Sequence, residues 1–128
     1  MINRILLVFV SMMFIQTTYA DEYKEMEINK AQFFCDISHN MASIAMSFRQ
    51  MEISSKDTFD KMSHINNKPN DAELSNRLRE LSISIVKDAY SQRLEYSKEE
   101  KQRAISNFSD KVYLNCLENY LGRTIKEL

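Results

Sequence analysis

The sequence predicts an all-α fold, a small bundle of about four helices with a disulfide joining the first and last helices. The 128 residues include one Gly and one Pro, so the residues that sharp turns require are scarce. Large apolar residues recur every three or four positions over long stretches, which is the helical period. The two cysteines, Cys35 and Cys116, lie far apart in the chain.

The first twenty residues have the order of a secretory signal peptide. Arg4 precedes an apolar run from Ile5 to Ile15, and a short polar stretch ends at Ala20. Thr18 and Ala20 suit the −3 and −1 positions of a signal peptidase site, so we predict cleavage after Ala20 and a location in the periplasm or outside the cell. A membrane anchor is the competing interpretation, but a span needs about 20 apolar residues and this run has about half that number.

Residues 21–128 are predicted to form a single helical domain. These 108 residues (128 less 20) are enough to bury a modest core without a metal. Their charge is −2, from 16 Lys and Arg (17 less Arg4) against 18 Asp and Glu. Because this balance provides no basic surface, nucleic acid is not expected as a partner. Once the signal is removed, we expect no segment that spans a membrane.

Cys35 and Cys116 are expected to form an internal disulfide, since the predicted compartment is oxidising and the number of cysteines is even. Two free thiols and an intermolecular bond are the alternatives. Closing a loop of about 80 residues would stabilise the fold by about 4 kcal/mol in the chain-entropy treatment.

The first half of the domain is predicted to contain one long and one short helix. The long helix runs from about Tyr23 to Arg49, and a break follows at residues 52–54. Its apolar stripe consists of Phe34, Ile37, Met41, Ile44, Phe48 and Met51, with Cys35, Ala42 and Ala45 beside it. The short helix begins at Ser54, an N-terminal cap, and ends at the loop of residues 66–69. Its apolar residues are Phe59, Met62 and Ile65.

The second half is predicted to contain two long helices. One runs from Asp71 to about Ser91 with Asn70 as its cap, and the other from the Ser97/Glu100 capping box to Gly122. Their apolar stripes are Leu74, Leu78, Leu81, Ile85 and Ala89 in the third helix, and Ile105, Phe108, Val112, Cys116 and Tyr120 in the fourth. A disulfide would place the first and last helices side by side, with the short helix as a lid or crossover.

The sequence carries no recognisable catalytic, cofactor or metal motif. Its single glycine, Gly122, excludes a Gly-rich phosphate-binding loop. Cys35 and His39 have ligand spacing on one helix face with Asp36 beside them, but a zinc site needs three or four convergent ligands. No Gly-x-Ser-x-Gly elbow is present. We therefore predict no catalytic residue, no cofactor and no metal, and favour a protein that is not an enzyme.

The aromatic residues suggest a contact surface. About two thirds of the aromatic and methionine side chains are expected to face the core. Neighbours such as Val112 and Tyr113 cannot share one narrow helix face, so some apolar surface is expected to face a partner or a second copy of the chain. The candidate contact residues are Phe33, Arg49, Tyr90, Tyr96 and Tyr113. Arg49 is interpreted as compensating the helix dipole, with a polar patch formed with Gln50 as the alternative.

Several positions together resemble a loose group of small exported bacterial proteins, which are helical, carry a Cys near each end and are mostly uncharacterised. The positions are Cys35, Ala42, Ile44, Phe48-Arg49-Gln50, Ser54-Ser55, Ile85-Val86, Ala89-Tyr90, Ile105, Phe108 and Cys116. Members often have Gly where this chain has Glu52 or Ile53, so its first turn is expected to differ. In architecture the domain is also similar to helical periplasmic immunity proteins that block cell-wall amidases.

The leading functional prediction is an exported interaction protein, of the inhibitor or immunity type, that binds a protein or a cell-wall component of the envelope without turnover. A homodimer is compatible with the surplus of apolar surface. Two alternatives stay open: an envelope-stress or chaperone-like protein that holds unfolded clients, and a hydrolase whose site is assembled from scattered residues.

Overall fold

A computed structural model of the chain describes residues 2–66 and 72–126, with side chains described for 25–64, 72–120 and 122. It contains the helices α1 (Ile2–Gln50), α2 (Ser55–Asn66), α3 (Ala72–Ser91) and α4 (Lys98–Lys126). No strand occurs in these residues, so the all-α prediction is confirmed. Of the loop predicted at 66–69, Asn66 is the last residue of α2 and 67–69 lie outside the described residues, as do the cap Asn70 and the side chain of Ile65. The chain divides into two units, Met1–Phe33 and Phe34–Leu128, and the packing described below is that of the second.

Two helix ends differ from the prediction. α1 begins at Ile2 instead of near Tyr23, because the sequence contains no Gly or Pro before residue 50 that would interrupt a helix. α4 continues to Lys126, so the assignment of Gly122 as the residue that ends it is wrong. Gly122 has no positive φ. A glycine inside a helix costs about 1 kcal/mol relative to alanine, and good helix formers on both sides can offset that loss.

All four helices contribute to one core in the second unit. Its buried residues are Met41, Ala42, Ala45, Met46, Met62, Leu78, Ile85, Val86, Ala89 and Phe108. The predicted stripes of α3 and α4 are buried or half-buried, as expected. In α1 the most buried positions are small residues beside the predicted stripe, such as Cys35, Ala42 and Ala45, whereas Met51 lies beyond the helix and is 67% exposed. Small side chains let neighbouring helices approach closely, so the face of α1 that packs against the other helices is centred on these small residues.

Cys35 and Cys116 form the predicted disulfide, which joins α1 to α4 with a Cα–Cα distance of 5.5 Å. The Phe34 and Tyr120 rings lie with their centroids 5.6 Å apart, so the two helices remain in contact beyond the disulfide. Ser38, one turn after Cys35, is fully buried and donates its hydroxyl to the Phe34 carbonyl. The disulfide therefore fixes the first and last helices of this unit side by side.

The break between α1 and α2 is a Schellman turn centred on Glu52. Its φ is 61°, and it is the one non-glycine residue of the described chain with a positive φ. The Glu52 amide donates to the Arg49 carbonyl and the Ile53 amide to the Phe48 carbonyl, both at 3.0 Å. Helices that end in this way usually have glycine at the left-handed position, because a Cβ is strained there. In this chain a residue with a side chain, Glu52, therefore occupies a position that favours glycine.

Replacing Glu52 with glycine is expected to raise the free energy of unfolding by about 1 kcal/mol, because glycine adopts positive φ without steric strain. Chemical denaturation of the purified protein measures the change. Glu52→Ala is the matched control, since it removes the same charge near the end of α1 but keeps the Cβ. Equal stability of the two variants would show that strain at Glu52 is not the cause.

Candidate functional site

The connection between α3 and α4, Gln92–Ser97, is held by a side chain from another helix; we call it the α3–α4 loop. Gln50, the last residue of α1, is 2% exposed. Its amide nitrogen donates to the Arg93 carbonyl at 3.1 Å, and its amide oxygen accepts from the Glu95 amide at 2.9 Å. One buried carboxamide thus provides hydrogen-bond partners for one N–H group and one carbonyl group of the loop backbone, in place of partners from another backbone segment.

Two basic side chains bind carbonyls at the ends of helices other than their own. Arg49 donates from Nε and Nη2 to the Gln92 carbonyl, each at 3.2 Å, directly after α3. The last turn of α3 has no basic residue, so Arg49 provides positive charge there. Lys101 of α4 donates to the Gln50 carbonyl at 3.1 Å. Arg49 lies in the last turn of α1, as dipole compensation requires, but its hydrogen bonds are made to the α3–α4 loop.

Tyr90 connects α3 to the α1–α2 turn. Its hydroxyl donates to the Ile53 carbonyl, and the Thr58 hydroxyl lies 2.7 Å away. Because the phenol has one proton, which it gives to Ile53, Thr58 is the donor in the second bond. The Arg49 guanidinium lies over the Tyr90 ring, 5.4 Å from its centroid. Two of the predicted contact residues, Arg49 and Tyr90, are therefore adjacent: Arg49 bonds to the α3–α4 loop, and Tyr90 bonds to the α1–α2 turn.

The C-terminal end of the loop is fixed by the predicted capping box. Ser97 Oγ accepts from the Glu100 amide at 3.1 Å, and the Glu100 carboxylate accepts from the Ser97 amide at 3.2 Å. These two bonds satisfy backbone donors at the start of α4. Hydrogen bonds from Ser97 hold the pKa of the Glu100 carboxyl below its ordinary value.

Tyr96 projects from this loop into solvent. It is 96% exposed, the most exposed of the large apolar side chains in the described chain. On the same loop, Arg93 Nε donates to the Glu95 carboxylate at 2.7 Å. The loop therefore combines a constrained backbone with a freely accessible aromatic side chain and an ion pair.

The other predicted contact residues lie elsewhere. Tyr113 is half-buried on α4, with its ring edge-on to that of His39 at 6.0 Å between centroids. The His39 ring nitrogen also lies 3.1 Å from the Asp110 carboxylate. Phe33 is 64% exposed in the first unit. The structure thus groups Arg49 and Tyr90 with the loop that carries Tyr96, and places Tyr113 in a contact between α1 and α4.

Sequence reasoning did not identify the buried Gln50 carboxamide that holds the loop, which we call the Gln50 clamp. It also missed Lys101, which binds the Gln50 carbonyl, and Thr58, which binds the Tyr90 hydroxyl. The polar pair Arg49-Gln50 at the end of an amphipathic helix was the available signal. Thr58 is fully buried although it belongs to no apolar stripe. Patterns of apolar residues cannot identify such positions, because their burial depends on partners that are distant in sequence.

A groove of about 600 Å³ lies beside the loop and is lined by residues of α1, α3, α4 and the loop itself. Its carboxylates, among the described residues, are Asp88 and Glu95, and no histidine lines it. The described lining therefore contains no Ser–His or Cys–His pair of the kind that activates a nucleophile. In the described part of the chain, no three or more Cys, His, Asp or Glu side chains gather as metal ligands.

Within the same residues, no helix contains a stretch long and apolar enough to cross a membrane. Comparison of the chain with protein families, with curated proteins and with solved structures finds no match.

Proposed function

We propose that the protein is an exported, non-enzymatic binding protein that recognises one protein partner through the α3–α4 loop. The observation that carries this proposal is the contrast within the loop: its backbone is bonded to Gln50 and Arg49, whereas Tyr96 is 96% exposed. An inhibitor or an immunity-type binder acts in this way, by occupying a surface of its target without turning it over.

A preformed loop favours binding because little conformational freedom is lost when the partner arrives. Tyrosine suits this role, since its large ring has few rotatable bonds and its hydroxyl can form a hydrogen bond at the rim of a pocket. Arg93 lies on the same loop, and arginine and tyrosine are among the residues that contribute most to protein interfaces. The chemistry of the loop therefore favours a folded protein with a pocket for an aromatic ring.

Export is part of the proposal. The signal-like residues 1–20 and the disulfide support it, because disulfides persist in oxidising compartments. In this proposal the leader is removed after Ala20, and the remaining chain acts in the periplasm or outside the cell, like the group of small exported bacterial proteins that it resembles.

The test uses immobilised wild-type protein and two variants, Tyr96→Ser and Leu114→Ser, exposed to envelope extract of the producing organism. Leu114 of α4 is also an exposed apolar side chain, so it is the matched control. We expect one protein to be retained by the wild type and by Leu114→Ser, but lost with Tyr96→Ser. The complex is then reconstituted from purified components to measure Kd, and Tyr96→Ser is expected to weaken it at least tenfold.

Three outcomes would contradict the proposal. Equal retention by Tyr96→Ser and the wild type would show that the α3–α4 loop is not the binding surface. Protection of several unrelated aggregating proteins, with no single partner, would indicate the chaperone-like function instead. Turnover of a substrate by purified protein that retains no partner would indicate a hydrolase.

A further inference from the structure

A second groove, of about 550 Å³, lies between α2 and α3. Polar side chains from both helices line it: Asp60, Ser63 and His64 from α2, and Ser75, Asn76, Arg79 and Ser82 from α3. Phe59 provides an apolar part of its wall. Its α3 residues lie between Ser75 and Ser82, whereas the α3–α4 loop follows Ser91, the last residue of that helix. A helix of this length spans about 30 Å, so the groove is distinct from the proposed protein-binding surface.

The groove contains two basic groups, Arg79 and His64. Within the described residues, neither Arg79 nor His64 forms an ion pair or a hydrogen bond, and both are exposed. Asp60 is the acid in the wall, and its carboxylate is paired with Lys56 at 2.7 Å. The negative charge in the groove is thus already compensated, whereas the guanidinium of Arg79 is not.

Ser63 and Ser75 provide hydroxyl groups on opposite walls of the groove. Ser63 and Ser75 are half-buried, and in the described part of the chain neither hydroxyl has a hydrogen-bond partner. Ser82, which also lines the groove, donates to the carbonyl four residues earlier, as Ser47 does in α1. Within the described residues Ser63 and Ser75 make no such bond, so their hydroxyls can donate to a bound group.

We propose that this groove binds a tetrahedral oxyanion, the phosphate group of a phosphorylated small molecule. Arg79 would donate two parallel hydrogen bonds to the phosphate oxygens, as guanidinium groups commonly do. Ser63, Ser75, Asn76 and His64 provide further donors, more than a planar carboxylate can use. The groove volume falls in the range of small-molecule sites, so an organic group can lie against Phe59 while the phosphate is held.

The experiment is a titration of the purified, oxidised and isotope-labelled protein with sodium phosphate, sodium sulfate and sodium acetate at constant ionic strength, followed by NMR. We expect phosphate and sulfate to shift amide signals of residues 63–64 and 75–79 with a Kd on the order of 1 mM. Acetate is expected to bind at least tenfold more weakly, because it offers two oxygens instead of four.

Arg79→Gln is expected to weaken phosphate binding at least tenfold, the effect of losing one charge-assisted contact. Lys87→Gln is the matched control, since it removes one positive charge from an exposed position of α3 outside the groove lining. His64→Gln, on the opposite wall, is expected to weaken binding by a smaller factor. Equal effects of Arg79→Gln and Lys87→Gln, shifts spread over the whole surface, or acetate binding as tight as that of sulfate would each overturn the proposal.

Discussion

Replacing Cys35 and Cys116 together with alanine is expected to lower the free energy of unfolding by about 4 kcal/mol. The disulfide joins residues separated by 81 positions, and a loop of that size restricts the unfolded chain strongly. Cys35 is also fully buried, so its loss adds a small packing defect to the entropic effect. Chemical denaturation of the variant and of the oxidised wild type measures the difference.

Wild-type protein kept reduced during denaturation is the control, because it retains both sulfur atoms but lacks the bond. Its loss of stability isolates the effect of the bond from that of the missing side-chain atoms. A loss below about 1 kcal/mol in the reduced protein would contradict the prediction, and would indicate that the unfolded chain is already compact.

Gln50→Met is expected to lower the free energy of unfolding by about 2 kcal/mol. Methionine has nearly the shape of glutamine, but it can neither donate to the Arg93 carbonyl nor accept from the Glu95 amide. Both bonds of the buried carboxamide are lost while the packing volume is kept. Hydrogen exchange gives a second measurement, since the Glu95 amide is expected to lose its protection in this variant.

Gln92→Met is the matched control for this substitution. Gln92 is exposed, and among the described residues its side chain bonds only to the nearby Asp88 carbonyl and Ser91 hydroxyl. We expect this variant to change the stability by less than about 0.5 kcal/mol and to leave Glu95 protected. Protection of Glu95 that survives Gln50→Met would show that the loop is ordered without the Gln50 clamp.

The fold could be predicted from the sequence because its main signals are local. The spacing of apolar residues placed α2 and α3 within a few residues of their observed bounds, and Ser54 and Ser97 identified two helix starts. The predicted end of α4 at Gly122 was wrong because glycine often ends helices but is also tolerated within them. The disulfide could be predicted without knowing where the two cysteines lie in the fold, since the chain has two cysteines and the predicted compartment is oxidising.

The candidate sites could be predicted only in part. Tyr96, Tyr90 and Arg49 were identified as aromatic or basic residues outside the core, and the first is indeed exposed. The roles of the other two depend on atoms more than thirty residues away, such as the carbonyls of Ile53 and Gln92. Hydrogen bonds between residues this far apart produce no periodic pattern in the sequence from which they could be predicted. The groove between α2 and α3 likewise depends on which faces of the two helices meet.

The Gln50 clamp also determines when the α3–α4 loop can acquire its shape during folding. Its bonds to Arg93, Glu95 and Lys101 join residues separated by 43, 45 and 51 positions, so they can form only after α1 and α3 have docked. An incompletely folded chain therefore has Tyr96 but not the rigid loop that presents it. In the proposed function, recognition of the partner is thereby reserved for molecules that have completed folding at their destination.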